Sequence, residues 1–385
     1  METRQDFYQP DIKIKKKHVV NVVQAFNAGG IQKLLLEYLR YFKNHPSIYY
    51  TVLVLEKNRN SAFDLIAEEE GLDVVYLNCE MSENKHYFIR TIWNYLDYNG
   101  KLFLWLQKNK PDIIHTHNTR IFIRIQGCIK ALVNKYKWYH TLHSDPTAVC
   151  EKHLPIAQKV FKQLGVKPIC LNNTQFEKAR ERYGIKECDI LYNIFDIREF
   201  QKTNYDRKSV RIQFHIPQDA YVVGAVGRLD LVKNYSFLVD AFAEVVKKNS
   251  RAVLVFVGDG SERENLRRQT RELGIEENVY FLGTQTELYK IYDMMDVFVS
   301  TSLTEAAPFV VLEAQTVGTK CVVASSIPVE SVFTKNVVRM SGDATLDEWV
   351  QEILCPKNFS TPVSNLEDYS IEKNAMKLVD IYFGE

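Results

Sequence analysis

Gly227-Arg228-Leu229-Asp230-Leu231-Val232-Lys233-Asn234 and, further on, Glu305-Ala306-Ala307-Pro308-Phe309-Val310-Val311-Leu312-Glu313 are the stretches whose reading decides the fold. The first follows an apolar strand run, Tyr221 to Val226, and leads into a helical pattern from Asn234, so Arg228 and Lys233 stand where a strand ends and a helix begins. Two cations at such a turn suit a diphosphate. The second follows another apolar run, Asp296 to Ser300. Pro308 disfavours a helical conformation at Ala307 and suits a helix's first turn. Glu305 is therefore expected on a loop and Glu313 in the opening turns of a helix, with both carboxylates bordering a pocket beneath a partially positive helix end. Such a pocket suits a phosphorylated ligand bearing hydroxyl groups.

Around these segments the pattern repeats. Strands are predicted at Tyr221 to Val226, Ala252 to Val257, Val279 to Leu282, Val297 to Ser300 and Lys320 to Ala324, with helices between them. Earlier in the chain His18 to Phe26, Tyr50 to Leu55, Val74 to Leu77, Ile113 to Thr116 and Trp138 to Leu142 alternate with helical segments in the same way. Alternation of this kind predicts an α/β fold of two doubly wound parallel sheets facing one another across a cleft, with ligands at the carboxyl ends of the strands. The pattern turns polar near Asp196 to Asp206. This places a first domain at residues 1–200, a second at 201–365, and a last helix within 366–385 that crosses back towards the first domain.

Several residues fall at predicted strand ends. Gly29 and Gly30 follow the first strand, where a glycine pair either lets the backbone approach a ligand or simply makes a tight turn. His115 and His117 end the strand that Asn118 follows, and His143 ends the next. His115 reads as packed, whereas His117 and His143 read as ligand-facing, with His117 and Asn118 on the acceptor side. Their spacing makes no zinc site. The stretch Lys85 to Lys110, rich in aromatic residues that include Trp93 and Trp105, reads either as helix packed on the sheet or as a surface for a membrane interface or lipid-linked acceptor. Asn99-Gly100 is expected to split or kink it. The basic tail with Lys13, Lys15, Lys16 and Lys17 reads either as a solvated approach to the first strand or as a contact for anionic headgroups.

At 385 residues, 46% apolar and 25% charged, the chain can bury two ordinary cores. A formal net charge of +1 gives no general push towards nucleic acid, and none is expected as a partner. The seven cysteines, at 79, 128, 150, 170, 188, 321 and 355, form no CxxC pair. With neither a signal peptide nor a long apolar span in view, reduced thiols in cytoplasm are expected, at the inner face of a membrane if the surface readings hold.

Taken together, the glycine turn at Gly29-Gly30, Asp112 to His117, Thr141 to Ser144, Tyr192-Asn193 through Asp196, Val226 to Asn234, Val257-Gly258-Asp259-Gly260 and Glu305 to Glu313 resemble the retaining glycosyltransferases of family four. The resemblance implies the GT-B architecture of two Rossmann-like domains. It also implies that Arg228 and Lys233 bind the donor's diphosphate, joined by amides near Val310 and Val311, and that Glu313 accepts from ribose hydroxyls. Glu305 would lie by the donor sugar, Gly30 would approach the diphosphate or sugar, and His143 would approach the transferred sugar. In related transferases the acceptor attacks from the side the diphosphate leaves, with a phosphate oxygen taking its proton, so no covalent nucleophile is assigned and retention is expected. No Asp-x-Asp segment is present, and the two cations would take a metal's place. No cofactor or metal is expected.

The segment around Leu312-Glu313-Ala314-Gln315 most resembles bacterial enzymes of capsule or exopolysaccharide assembly. A hexosyl transfer from a UDP-linked donor to a growing, lipid-carried saccharide is therefore expected. Ala306-Ala307-Pro308-Phe309 replaces the family's frequent glycine-rich run, and Ile194 stands where a glycine commonly follows, departures that bear on donor-sugar identity. A sugar-nucleotide 2-epimerase or hydrolase of the same architecture, or a noncatalytic sugar-nucleotide-binding subunit, are the alternatives.

Overall fold

The computed structural model describes residues 16–26, 29–56, 61–80, 87–117, 119–194, 197–200, 206–355 and 366–384. Strands β1 (Lys17–Val23), β2 (Ile48–Glu56), β3 (Val74–Cys79), β4 (Ile113–His117), β5 (Lys137–Thr141), β6 (Lys167–Cys170) and β7 (Asp189–Ile190) form a first sheet in the order β3-β2-β1-β4-β5-β6-β7. Strands β8 (Tyr221–Val226), β9 (Ala252–Val257), β10 (Val279–Phe281), β11 (Val297–Ser300), β12 (Lys320–Val323) and β13 (Val337–Arg339) form a second in the order β10-β9-β8-β11-β12-β13. Every adjacent pair of the second sheet is parallel. So are β1 with β2 and β4, β2 with β3, and β6 with β7 in the first.

Parallel sheets carry helices on their faces, so their strands read as unbroken apolar runs. All of Ala252–Val257 is buried. Gly224 lies mid-strand in β8 because a Cβ there would come within 2.1 Å of Met295 Sδ. The helix Tyr235–Lys248 buries Leu238, Val239, Phe242 and Val245 at helical spacing and ends on Lys247 and Lys248. Burial at about 1.5–3 kcal/mol per large side chain outweighs the end charges, at about 0.3–1 kcal/mol each. Packing, not the dipole, makes this helix.

The order of each sheet reverses once, between β1 and β4 and between β8 and β11. In open α/β sheets ligands gather outside the carboxyl ends at such a switch point. In the second sheet those ends lead into Gly227–Asn234 and Thr301–Pro308. The segments that anchored the sequence reading are thus brought side by side by topology.

One local expectation needs revision. A single helix, Tyr87–Asn109, runs through Asn99-Gly100 without a break. Asn99 is buried and serves as an anchor: its Nδ2 donates to Tyr95 O and Arg124 O, and its Oδ1 accepts from Cys128 N at 2.7 Å. The tendency of Asn to end a helix is overridden by the tertiary bonds to Arg124 O and Cys128 N. The chain also groups by packing. It packs into two compact units, residues 1–140 with 164–166 and residues 141–163 with 167–385. The polar stretch 196–206 separates the sheets in sequence, yet residues ahead of it bond to the second sheet's loops. Thr174 N and Oγ1 donate to the Glu330 carboxylate at 2.9 and 2.8 Å, for example. The C-terminal helix, Ile371–Phe383, lies in the same unit, with Lys377 Nζ 5.8 Å from the centre of the Tyr192 ring.

Candidate functional site

The loop after β8 begins at Gly227, with φ of 147°, and ends at Asn234, with φ of 52°. The loop after β11 is stitched to it. Thr301 Oγ1 donates to Lys233 O at 2.9 Å and Asn234 O at 3.0 Å, and Leu303 N donates to Val232 O at 2.8 Å. These bonds carry Lys233 to Glu305: Nζ donates to Oε1 at 2.6 Å, with the two side chains only 18% and 15% exposed.

Arg228 is placed differently. Its Nε lies 2.7 Å from Asp230 Oδ2, but the side chain is 76% exposed. A pair so exposed is worth about 0–1 kcal/mol, so an arriving polyanion can take the guanidinium. Asp259 pairs with Arg263 at 3.4 Å instead. The Gly258-Asp259-Gly260 motif has a packing explanation. A Cβ on Gly258 would meet Gly227 O at 2.1 Å, and one on Gly260 would meet Leu229 O at 2.2 Å. The bonds Leu229 N to Asp259 O and Glu262 N to Leu229 O, both 2.9 Å, close the two loops on each other.

The helix Phe309–Val317 opens at Pro308 and closes at Gly318, whose φ of 91° is the left-handed turn that ends helices. Glu313 lies in its second turn, 4% exposed. The buried Tyr292 hydroxyl donates to Glu313 Oε2 at 2.9 Å. Burial, with Glu313 beside it, raises that phenol well above its ordinary range. Glu305 therefore presents its carboxylate at a loop, whereas Glu313 is nearly enclosed. The Val311 amide, expected to meet an anion, donates to Pro308 O at 3.2 Å. Val310 occupies one of the first helical positions, whose N–H has no acceptor within the helix.

His143 follows β5 and is half-buried. Burial lowers its imidazole to about 3, so it is neutral at physiological pH. The His115 and His117 rings lie side by side in the first sheet, with centroids 4.1 Å apart and planes tilted by 36°. His117 is 2% exposed, with Nε2 2.9 Å from Asn21 Oδ1. All five residues of β4 are buried. Asn118 lies outside the described residues. Gly29 caps and Gly30 begins the helix Gly30–Phe42, whose first turn has no side-chain cap.

The sequence reading missed the residues that brace the site. Asn172 Nδ2 donates to Ala306 O at 2.6 Å, and Asn193 Nδ2 to Ala307 O at 3.1 Å. They hold the two carbonyls after Glu305 in a loop that lacks glycine. Asn172 is legible as a helix cap, but its far partner is not.

Residues 206–353 match the family described as Glycosyl transferases group 1. The chain is 24% identical over 357 residues to the putative glycosyltransferase EpsF of Bacillus subtilis (strain 168), covering 88% of this chain and 87% of that protein. It is 25% identical over 362 residues to the UDP-Gal:alpha-D-GlcNAc-diphosphoundecaprenol alpha-1,3-galactosyltransferase of Escherichia coli, covering 84% and 89%. Among solved structures, Anabaena Alr3699/HepE in complex with UDP-glucose superposes with a TM-score of 0.73 at 18% identity, covering 95% of each chain. That likeness carries the fold, two Rossmann-like parallel-sheet domains of the GT-B kind.

Proposed function

From the premise that residues 206–353 form a domain of glycosyl transferases group 1 in a chain of GT-B fold, we propose that the protein moves a sugar from a UDP-linked donor to a growing, lipid-linked saccharide. The transfer retains the anomeric configuration, needs no metal, and serves bacterial surface polysaccharide assembly. The observation that carries this reading is the half-shielded Lys233–Glu305 pair at the switch point of the second sheet.

A glycosyl transition state has oxocarbenium character while negative charge builds on the leaving diphosphate. Lys233 and the exposed Arg228 supply fixed positive charge there, which stabilises the leaving group without solvent reorganisation. An arriving diphosphate can draw Lys233 off Glu305, which leaves the Glu305 carboxylate for the sugar's hydroxyls or its developing positive charge. Glu313, held by Tyr292, is the acceptor assigned to the ribose hydroxyls. His143 is neutral and suited to hydrogen-bond the transferred sugar. The UDP-glucose in one structural neighbour and the UDP-galactose named for one relative support the choice of base, and the diphosphoundecaprenol in that relative's name supports a lipid-carried acceptor.

Peripheral membrane contact belongs to the same reading. Among the described residues no helix is long and apolar enough to cross a membrane. The helix Tyr87–Asn109 leaves Ile92, Trp93, Leu96 and Leu104 exposed. At 100° per residue these lie within about one third of its circumference, and an apolar stripe of this kind suits the interfacial zone of a bilayer.

The test is a panel of sugar nucleotides screened by thermal shift, where a ligand binding only the folded chain raises its melting temperature. The best donor is then assayed for transfer to a lipid-linked saccharide and for anomeric outcome. Stabilisation by UDP-sugars and an α-linked product from an α-linked donor are expected. Release of free sugar or an epimer without any acceptor would overturn the reading.

A further inference from the structure

His143 and Glu305 lie far apart in sequence, yet the opening turn of one helix holds the backbone beside each. The helix Asn173–Tyr183 is capped by Asn172, whose Oδ1 accepts from Gln175 N at 2.7 Å. That bond sets the orientation of the amide. Its Nδ2 then faces the other way and donates to Ala306 O at 2.6 Å, on the residue next to Glu305. Gln175 behaves in parallel. Its Oε1 accepts from Leu171 N at 2.7 Å, and its Nε2 donates to Leu142 O at 2.7 Å and Ser144 O at 3.0 Å, the carbonyls on either side of His143. Both side chains are buried, and both segments they hold belong to one compact unit.

Helix formation does not require this arrangement. A cap needs only a side-chain acceptor, which Ser, Thr or Asp provides as well, and the first turn has no need of a glutamine amide buried against two carbonyls. The amide nitrogens are surplus to the helix. What they do is seat two loops that carry the residues nearest the sugar in the reading above.

We propose that Asn172 and Gln175 are positioning residues of the transfer reaction, seating the Glu305 and His143 loops on one helix turn so that both side chains meet the donor sugar in a fixed relation. This rests on the glycosyltransferase reading. Geometry at a reacting centre matters steeply: a misplacement of about 1 Å can lower a rate by about a hundredfold. The Lys233 loop is also tied to the Glu305 loop by Thr301 and Leu303, so loss of the two amides is expected to disturb diphosphate binding less than transfer.

Asn172→Asp and Gln175→Glu test this in the 385-residue chain. Each keeps the shape and the capping acceptor but replaces the donor with an oxygen that repels the carbonyls. Asn172→Ser, which keeps a cap and adds no charge, serves if the carboxylate variants do not fold. UDP affinity is measured by calorimetry, and kcat and KM are measured with the donor that the wild type turns over. The expected result is a kcat lower by about tenfold or more, with UDP affinity and donor KM changed by no more than about threefold. Folded variants with wild-type kcat would overturn the proposal, as would parallel losses of kcat, UDP affinity and melting temperature, the mark of a structural role alone. If the wild type neither binds UDP nor releases it from any donor, the glycosyltransferase reading falls first and the positioning role with it.

Discussion

Lys233 Nζ donates to Glu305 Oε1 across 2.6 Å, joining the loop after β8 to the loop after β11 at the point where the second sheet reverses its order. A cation suited to a diphosphate is thus already engaged by a carboxylate suited to a sugar. On the proposed function the two residues are coupled, because what weakens the pair leaves Lys233 to the diphosphate.

That coupling gives an uncommon sign. Glu305→Gln loosens the hold on Lys233 while keeping the side chain's shape. UDP is expected to bind a few-fold more tightly, as one charge-assisted bond is weakened, while sugar transfer falls by about a hundredfold. Calorimetry and a transfer assay on the same preparation check both. A transfer rate equal to wild type would remove Glu305 from the reaction.

Tyr292 and Glu313 are both buried, and the phenol is Glu313's donor at 2.9 Å. Tyr292→Phe deprives a buried carboxylate oxygen of that bond, which costs about 1–3 kcal/mol. The melting temperature is expected to drop by about 2–4 °C for each kcal/mol in a domain of this size. An unchanged melting curve would mean that Glu313 is not held by this bond.

His143 titrates at about 3 in the folded chain because burial disfavours its charged form, against an ordinary value of 6.5. Between those values the unfolded chain binds a proton that the folded one does not. Its contribution to stability is therefore full above pH 6.5 and is lost as pH falls towards 3. His143→Gln should show a smaller drop in melting temperature than wild type between pH 7 and about pH 4.5. Equal drops in the two proteins would contradict the shift.

The exposed stripe on the helix Tyr87–Asn109 predicts vesicle binding that depends on its apolar side chains. Replacing Trp93 and Leu104 by Ser removes two exposed groups, each worth up to about 1.5–3 kcal/mol if fully buried. Sedimentation with anionic vesicles should fall by about tenfold or more. Trp105 is a poorer probe because it is partly buried, 6.2 Å from the His18 ring. Undiminished sedimentation would take the helix out of any membrane contact.

Much of the fold is legible because parallel strands covered on both faces must be apolar along their length, as Ala252–Val257 is. Lys233 and Glu305 were legible for a related reason: both follow such runs, and the end of a run marks the end of a strand. The bracing of the site was not. Asn172 reaches Ala306 across 134 positions, and Gln175 reaches Leu142 across 33, so neither leaves a local pattern. Asn99 misled in the opposite direction, because its tertiary bonds outweigh the local tendency to end a helix. At the end of β4, alternation puts His115 and His117 on the same face, but it cannot say that this face is packed shut.

The central claim is that Lys233 and Arg228 grip the diphosphate of a nucleotide-linked sugar. Titration calorimetry of UDP with wild type, Lys233→Ala and Arg228→Ala tests it most directly. Loss of a hydrogen bond to a charged group is worth about 1.5–3 kcal/mol, so each variant should bind UDP about ten- to a hundredfold more weakly while remaining folded. UDP affinity equal to wild type in both folded variants would contradict the account.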